Sequence, residues 1–209
     1  MLTPSFPIRT PRLRLRPFER RDLGAYLAYA SRPDVVRYMY WNADDRAAHE
    51  ERLERYLTRT RLREEGDVLT LAVEVNDAVD DAVDEPVDDQ AGTVPATRVI
   101  GEVLLVWRSR IHRQGEIGFA FHPDFHGRGY ASEAAGTMLE LAFDRLDLHR
   151  VFGRCDPRNH ASGRLMARLG MRREAHLVEN EWIKGEWADE EVWAVLEGEW
   201  RARRAGSTT

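Results

Sequence analysis

The residues of this sequence whose types and spacing point most directly to chemistry are two glycines around an arginine, Gly127-Arg128-Gly129. Glycines let the backbone approach a ligand closely, and the first turn of a following helix presents free N–H groups. A strand, a glycine turn and a helix start together form an anion site, to which Arg128 adds a positive charge. The expected ligand is therefore a phosphate or a pyrophosphate.

The segments on either side of this loop have the periodicities that such a site needs. Glu116 to Pro123 is short, apolar and aromatic, which predicts a buried strand that ends at the proline. The loop lacks the Lys of a P-loop, and Ser132 stands where a dinucleotide-binding fingerprint has its third glycine. After Ser132, apolar residues at helical spacing predict an amphipathic helix, namely Ala135, Met138, Leu139, Ala142, Phe143 and Leu146.

A second ordered segment begins at Asn159, which is a natural helix N-cap. The apolar face of its predicted helix consists of Leu165, Met166 and Leu169, and Gly170 is a C-terminal stop. Strands are predicted before it, at Val151 to Cys155, and after it, in the stretch from Arg172 to Trp200.

These two segments, in this order, resemble the acetyl-CoA-binding motifs of the GCN5-related N-acetyltransferases (GNAT). Asp124 to Ala134, DFHGRGYASEA, is similar to the pyrophosphate loop of that family, although His126 stands where the family usually has Gln or Arg. Asn159 to Met171, NHASGRLMARLGM, is similar to the second motif. The GxGYAxEA form resembles the RimJ/RimL-like branch, which acetylates the N-termini of ribosomal proteins. The resemblance extends from about Arg12 to Trp200.

The resemblance implies an α/β (α+β) GNAT fold, with a mixed, mostly antiparallel sheet splayed at the central strand and helices on both faces. We expect residues 1–209 to form a single domain, with an acidic flexible insertion at about 76–95 and a short charged tail at 201–209. Period-two alternation from Thr10 to Phe18 predicts the first strand, with Leu13 and Leu15 inward and its arginines on a solvated face.

Four further segments complete the predicted order of elements. Glu19 to Tyr40 is predicted to be helical with a break near Pro33, and Ala43 to Glu65 to be a charged helix. Strands are predicted at Val68–Val75 and Val99–Trp107.

The same resemblance implies acetyl-CoA as cosubstrate and assigns residues to it. The backbone of the central strand would supply an N–H donor to the thioester oxygen. The cofactor-binding residues implied are Phe119, Ala120, Phe121, His126, Gly127, Arg128, Gly129, Tyr130, Ala131, Asn159 and Ser162. No His pair or carboxylate cluster has metal spacing, so no metal is predicted.

Catalysis requires a neutral acceptor amine and a proton for the leaving thiolate. An α-amino group has a pKa of about 7.7–8.0 against about 10.4 for Lys, so a peptide N-terminus needs only a modest base. Many family members protonate the thiolate with a Tyr, but Met166 occupies that position. The ribosomal-protein branch instead implies Ser162 near the sulfur and Glu181 as base.

Each of these assignments has a structural alternative. The Ser162 hydroxyl could bond the helix cap, and Glu181 could be a surface carboxylate, with Glu179 close enough to take its place in an alignment. Glu116 is another candidate base or a salt bridge at the strand edge. Glu102 and His122 are weaker candidates. Tyr38, Tyr40 and Trp41 could line the acceptor cleft or form a simple aromatic cluster.

Composition narrows the classes of partner. Net charge is −5, which does not favour a basic nucleic-acid-binding surface, so no direct nucleic-acid partner is expected. The single cysteine, Cys155, excludes a disulfide framework and is expected to be a buried, inert thiol. No apolar run reaches membrane-spanning length and no signal-peptide pattern is present, so we expect no membrane association and a cytoplasmic location.

The sequence leaves three functions open. The favoured one is acetylation of a protein N-terminal amine, such as that of a ribosomal protein. An acidic cleft would instead favour a small amine, such as a polyamine, amino acid or aminoglycoside, and an open, shallow groove would favour a peptide. The third is a non-catalytic acyl-CoA-binding module. A homodimer is compatible with the resemblance.

Overall fold

The structure, a computed structural model, describes residues 1–76 and 99–206. The described strands form one eight-stranded sheet in the order β1-β2-β3-β4-β5-β6-β8-β7. The strands are β1 (Ile8–Arg9), β2 (Leu13–Arg16), β3 (Val68–Val75), β4 (Val99–Ser109), β5 (Gln114–Phe121), β6 (Arg150–Cys155), β7 (Arg172–Ile183) and β8 (Glu186–Leu196). The helices are α1 (Leu23–Ala30), α2 (Pro33–Val36), α3 (Arg46–Thr58), α4 (Tyr130–Glu140), α5 (His160–Arg168) and α6 (Glu197–Gly206).

The sheet is mixed and mostly antiparallel, as predicted. Only β5 and β6 pair in parallel, and they do so over three residue pairs, from Gln114 opposite Arg150 to Glu116 opposite Phe152. Beyond these pairs β5 continues to Phe121 and β6 to Cys155 without pairing to each other. The predicted splay at the central strand is therefore present, and it leaves one edge of β5 open.

Helices cover both faces of the sheet. Helices α4, α5 and α6 pack on one face around a large apolar core that includes Leu13 and Leu15, both fully buried. On the other face, α1 and α3 enclose a second core built around Phe18, Tyr26 and Tyr56. The period-two prediction for β2 is confirmed, because the buried leucines alternate with residues that face the α1–α3 side.

The prediction of a solvated arginine face on this strand was wrong at Arg16, which is 3% exposed. Its guanidinium Nη1 lies 2.7 Å from Asp22 Oδ2, and its Nε donates to Glu74 Oε1 at 2.9 Å. Asp22 ends a 3₁₀ turn between β2 and α1, and Glu74 lies on the neighbouring strand β3. The turn folds back over β2, so the charge is buried but paired.

Two predicted segments differ in length or type. The predicted helix from Ala43 to Glu65 ends at Thr58, because Leu62 leaves the helix to form a buried β-bridge with Leu2. The predicted charged tail is instead helix α6, up to Gly206. Its Trp200 is buried against Phe143, with ring centroids 6.1 Å apart.

The predicted acidic insertion at about 76–95 lies, apart from Asn76, outside the described residues. Its flanking strands are direct neighbours, since Glu74 of β3 pairs with Val99 of β4. Across residues 1–76 and 99–206, none of the helices combines the length and apolar character needed to cross a bilayer.

Candidate active site

The separation of β5 and β6 opens onto a cavity of about 580 Å³. The glycine loop and the start of α4 form one wall, and the first turns of α5 form another. Side chains from α2 and the residues after it, including Tyr38 and Met39, close a third side. Of the eleven predicted cofactor-binding residues, the cavity is lined by Phe119, Phe121, His126, Gly127, Gly129, Tyr130, Ala131, Asn159 and Ser162, and not by Ala120 or Arg128.

The glycine loop has the backbone conformation that an anion site requires. Gly127 and Gly129 have φ values of 76° and 83°, in the left-handed region that favours glycine. Gly129 is the N-cap of α4 and brings no side chain to cap it. The N–H groups of the first turn, starting at Tyr130, are therefore available to a ligand, and the helix dipole favours a negative charge there.

Arg12, just before β2, holds this loop from behind. Its Nη1 donates to the Arg128 carbonyl at 2.7 Å, and its Nε donates to Glu133 Oε2 at 2.7 Å. The guanidinium lies 4.9 Å from the centre of the Tyr130 ring. A Cβ atom on Gly129 would lie 3.2 Å from Arg12 Nη2, so close approach is a second reason for glycine there. The loop is thus tied to the sheet and to α4.

The Arg12–Glu133 pair is reinforced by Thr10, whose hydroxyl donates to Glu133 Oε1 at 2.5 Å. Burial alone would raise the pKa of Glu133, but the hydrogen bonds from Thr10 and Arg12 outweigh it and lower that pKa. Glu133 therefore stays ionised and keeps Arg12 in place at neutral pH.

The open edge of β5 presents backbone N–H groups to the cavity. His122 N–H donates to Ile100 O of β4 at 2.8 Å, and alternate residues of a strand point their backbone groups to opposite sides. The N–H of Ala120 therefore points to β4, whereas those of Phe119 and Phe121 point to the open side. The prediction that Ala120 binds the cofactor was therefore wrong. Its N–H points to β4, and its side chain packs on the α1–α3 core.

The second motif places a free hydroxyl beside the cavity. Asn159 Oδ1 accepts from the Ser162 backbone N–H at 3.2 Å, which is the predicted N-cap. The described residues offer no hydrogen-bond partner to the Ser162 hydroxyl, so it is not used for capping. Met166 is 1% exposed in the core, and a Cβ on Gly153 would lie 2.9 Å from its sulfur.

On the α1–α3 face of the sheet, beside the point where β5 and β6 separate, one arginine gathers three glutamates. Arg154 Nε donates to Glu116 Oε1 at 3.0 Å, and its Nη1 donates to Glu190 Oε1 at 3.1 Å. The same Nη1 lies 3.7 Å from Glu181 Oε1. The two catalytic carboxylates predicted from the sequence, Glu116 and Glu181, are thus brought together with a third. We call Glu116, Arg154, Glu181 and Glu190 the carboxylate cluster.

The three carboxylates differ in how fully their oxygens are used. Glu116 Oε2 accepts from Arg108 at 2.6 Å, and Glu190 Oε2 accepts from Asn180 at 3.1 Å. Glu181 makes no side-chain hydrogen bond to any described residue, and its side chain is 29% exposed. Glu181 is therefore the cluster's most available proton acceptor.

Burial raises the pKa of Glu190, and the nearby carboxylates of Glu181 and Glu116 raise it further while Arg154 opposes them. Tyr40, beside the cluster, also has a raised pKa, through burial first and then the Glu181 charge. Burial is the first cause of both shifts, and the negative charges of the cluster add to it.

A bulge in β7 carries Glu181 to the cluster. The pairing register of β7 with β8 shifts between Leu177 and Glu181, and Glu179 has a φ of 50°. At the hairpin tip, Lys184 Nζ donates to the Val36 carbonyl at 2.5 Å, which joins the hairpin to α2. The hairpin that carries Glu181 is thereby held against α2.

The weaker candidates have structural roles. Glu102 is fully buried beneath α1 and α3, accepts from Tyr29 and Tyr56 at 2.9 and 2.8 Å, and has a pKa raised by burial. His122 Nδ1 accepts from the Asp124 N–H and caps a 3₁₀ turn. Burial raises the pKa of Cys155 to about 12, so this thiol stays protonated.

The aromatic residues proposed for the acceptor wall separate. Tyr38 lines the cavity and Tyr40 lies beside the cluster, whereas Trp41 packs under the Arg52 guanidinium, 3.8 Å from its ring centre. Within the described part of the chain, no group of three or more His, Cys, Asp or Glu side chains has the arrangement of a metal site.

Sequence reasoning missed Arg12, Arg154 and Glu190. Charged residues inside the apolar strands Arg150–Cys155 and Glu186–Leu196 were the available signal, because a charge within a buried strand needs a partner. The partners lie on other strands, however, and their identity depends on strand order. Two further cations also line the cavity and were not predicted. Arg158 lies just before α5, and Arg164 lies on it.

Comparisons with known proteins agree with this geometry. A family model described as an acetyltransferase (GNAT) domain matches residues 12–172. The uncharacterized N-acetyltransferase YnaD of Bacillus subtilis is 45% identical over 85 residues, which are 41% of this chain and half of that relative's length. A crystal structure of a GNAT-family acetyltransferase from Bacillus anthracis superimposes with a TM-score of 0.73 at 27% identity, covering 91% of this chain and 98% of that one.

Two relatives have names that specify an acceptor. A spermidine N(1)-acetyltransferase of Vibrio cholerae is 29% identical over 105 residues, covering 50% of this chain and 61% of the relative. A [ribosomal protein uS5]-alanine N-acetyltransferase of Escherichia coli is 27% identical over 88 residues, covering 42% of this chain and 45% of the relative.

Proposed function

Since the chain belongs to the GNAT acetyltransferase family and is an acetyl-CoA-dependent N-acetyltransferase, we propose that its acceptor is the N-terminal amine of a protein. The observation that supports this choice most directly is the charge balance beside the cavity. Glu116, Glu181 and Glu190 carry three negative charges, and Arg154 and Arg108 return two positive ones. One net negative charge matches one ammonium group.

The available base also fits an N-terminal amine. Glu181 is the cluster's one carboxylate without a side-chain hydrogen bond to a described residue, so it can accept a proton from an ammonium group that enters the cleft. A carboxylate is a weak base, and an α-amino group, with a pKa of about 7.7–8.0, is already partly neutral at pH 7. A Lys amine or polyamine would require a stronger base.

The cavity residues fit the cosubstrate. The glycine loop and the free N–H groups of the first turn of α4 suit a pyrophosphate, and the cations Arg158 and Arg164 stand at the cavity wall. Bound acetyl-CoA supplies the activated acetyl group. The N–H of Phe119 or Phe121 would stabilise the negative charge on the thioester oxygen, and the Ser162 hydroxyl would donate a proton to the departing thiolate.

In the proposed reaction the neutral amine nitrogen forms the new C–N bond to the acetyl carbon, and the C–S bond breaks. Glu181 takes one proton from the bound ammonium and passes it to water before the attack, and then takes the proton that the nitrogen loses as the C–N bond forms. The thiolate gains a proton from Ser162. The chain is restored when Glu181 releases this second proton to solvent and Ser162 recovers one from solvent. Glu116, held by Arg108 and Arg154, serves as a counter-charge in this scheme, and it is the alternative base.

A small polycationic amine is the second candidate. The net negative charge of the cluster attracts any cationic amine, and one relative is named as a spermidine acetyltransferase. Because the arginines neutralise two of the three carboxylates, we expect such an amine to bind less well than a singly charged N-terminus.

The test is acetyl-CoA turnover, measured by thiol release, against peptides with different N-terminal residues, polyamines, amino acids and aminoglycosides. We expect turnover with peptides that have a free N-terminus and none after N-terminal blocking. Glu181→Gln should lower kcat/KM by about 100-fold or more. Glu179→Gln is the matched control, since Glu179 lies in the same bulge but outside the cluster. Turnover with polyamines alone would replace the proposed acceptor by the second candidate.

A further inference from the structure

Arg154 has a specific geometry, because its one guanidinium contacts carboxylates from three other strands. The inference that follows rests on the proposed function and extends it to a residue that neither the sequence motifs nor the comparisons assign.

Arg154 spans the gap between the separated strands. It lies on β6 two residues beyond Phe152, the last residue that pairs with β5. From there its Nε reaches Glu116, the last paired residue of β5. Where backbone hydrogen bonds between these two strands stop, a side-chain ion pair takes their place.

The same guanidinium fixes the hairpin on the opposite side. Glu190 of β8 and Glu181 of β7 both face Nη1, and the Glu190 side chain is only 7% exposed. The group is surrounded by charges from each neighbouring element: Glu116 and Arg108 from β5 and β4, Glu190 and Glu181 from β8 and β7, with Tyr40 from the segment after α2. Without Arg154, three carboxylates would face one another, and Arg108 would still contact one of them, Glu116.

We propose that Arg154 is a positioning residue for acetyl transfer, which holds the Glu181 carboxylate in place as the proton acceptor and keeps the acceptor side of the β5–β6 gap at a fixed width. An arginine cannot act as a base at physiological pH, so its effect must pass through its partners. An opposite charge at this distance favours the ionised carboxylate, whereas like charges disfavour it. The positive charge of Arg154 offsets the repulsion among the three glutamates, which would otherwise favour protonation of one of them.

Arg154 should also affect the pH dependence of acetyl transfer. A base must be unprotonated to accept a proton, so kcat/KM falls on the acid side as the base becomes protonated. Removing the guanidinium makes ionisation of the cluster less favourable, because an attractive charge is lost and the repulsion between glutamates remains. The acid limb of the kcat/KM profile should therefore move to higher pH in an Arg154 variant, by about one pH unit or more.

The first experiment compares Arg154→Gln and Arg154→Lys with the wild type. For Arg154→Gln we expect kcat/KM for the acceptor to fall by about 100-fold at pH 7 and the acid limb to shift upward, with KM for acetyl-CoA changed less than about twofold. Arg154→Lys keeps the charge but loses the fork that reaches several carboxylates, so we expect an intermediate loss with a smaller shift of the acid limb.

The matched control is Arg173→Gln. Arg173 Nη1 donates to Glu191 Oε1 at 2.7 Å. This arginine–glutamate pair joins β7 to β8, the two strands that carry Glu181 and Glu190. Glu191 follows Glu190 directly and therefore faces the other side of the sheet. We expect Arg173→Gln to leave kcat/KM and the acid limb unchanged. An equal loss in Arg173→Gln, or an unshifted acid limb in Arg154→Gln, would show that Arg154 is only structural.

A second measurement keeps the inference testable whatever the acceptor is. Carboxyl-carbon NMR titration of ¹³C-glutamate-labelled protein, with Glu181→Gln and Glu190→Gln for assignment, reports the carboxylate pKa values without turnover. Arg154→Gln should raise the pKa of Glu190, because Arg154 lowers it in the wild type, and an unchanged value would overturn the inference. Wild-type protein that acetylates no amine would contradict the proposed function alone, because this titration would still decide the role of Arg154.

Discussion

At the scale of single residues, Ser162 shows how two roles can be separated within one side chain and its backbone. Its N–H completes the cap of α5 by donating to Asn159, and its hydroxyl faces the cavity without a partner among the described residues. The helix therefore needs the backbone of residue 162 and the side chain of residue 159. The hydroxyl can be removed without disturbing the cap.

We accordingly expect Ser162→Ala to lower kcat by about 100-fold while leaving the melting temperature unchanged, because the hydroxyl is the proposed proton donor to the thiolate. Asn159→Ala is the contrasting variant. It should destabilise the protein by about 1 kcal/mol through loss of the cap. Steady-state kinetics and thermal unfolding of both variants check this. Full activity in Ser162→Ala would mean that water protonates the thiolate.

Arg12 belongs to the same scale, since it touches the loop that we assign to the pyrophosphate without lining the cavity. Arg12→Ala removes hydrogen bonds to the Arg128 carbonyl and to Glu133, so the loop is no longer held in its binding conformation. We expect KM for acetyl-CoA to rise about tenfold, as for the loss of one charge-assisted hydrogen bond, with kcat little changed.

The control for Arg12→Ala is Arg14→Ala, on strand β2, which begins directly after Arg12. Arg14 pairs with Glu74 at 3.5 Å, and its side chain is 41% exposed, so its removal should not alter KM. Calorimetric titration with CoA gives the same comparison without turnover. Equal CoA affinity in wild type and Arg12→Ala would contradict a role in holding the loop.

At the scale of elements, strand β2 and the turn after it depend on a buried charge network. Arg16 is 3% exposed and Asp22 fully buried, and Arg16 pairs both with Asp22 and with Glu74 on β3. Removing one member of a buried pair leaves an uncompensated charge, which costs about 3–5 kcal/mol. Asp22→Ala should therefore lower the free energy of unfolding by that amount in urea titration. The exposed pair Arg20–Glu54 provides the control, and Glu54→Ala should change stability by less than about 1 kcal/mol.

This element also shows what sequence periodicity predicts and what it does not. Alternation predicted the strand and the inward direction of Leu13 and Leu15, because burial on one face requires period two. It could not predict that Arg16 is buried, because this depends on Asp22 folding back over the strand. Helix α6 was missed for a similar reason, since its single buried Trp200 gives no apolar repeat.

The candidate site divides in the same way. The glycine loop and the α5 cap are local, so their residues could be predicted from short motifs together with backbone rules. The members of the carboxylate cluster come from four strands and lie between residues 116 and 190 of the chain. Its assembly depends on β8 inserting between β6 and β7, which no local pattern in the sequence specifies.

At the scale of the whole molecule, the charge of the chain is concentrated in one connection. Residues 77–98 hold seven acidic residues and one arginine, so replacing them would change the formal net charge from −5 to +1. The strands on either side are adjacent, with Glu74 paired to Val99, so an Asn-Gly turn can connect them. We expect this variant to keep peptide acetylation within about threefold of wild type, since these residues supply none of the side chains assigned to the cavity or to the carboxylate cluster. A peptide turnover assay at low and moderate salt checks it, and a loss at both would assign these residues a direct role.

The three residue pairs between β5 and β6 have a further consequence for how the protein opens. The sheet has two parts, the strands up to Phe121 and the strands from Arg150 onward. In the described chain, these residue pairs and the Arg154–Glu116 ion pair are the only strand pairing and ion pairing between the two parts. Bound acetyl-CoA would lie along the unpaired edge of β5 and add contacts between the two parts of the sheet. We expect amide protons of β6 and β8 to exchange with deuterium faster than those of β3 and β4 in the free enzyme, and this difference to narrow when CoA is bound. On this view, the cosubstrate joins two separately opening halves into one cooperative unit.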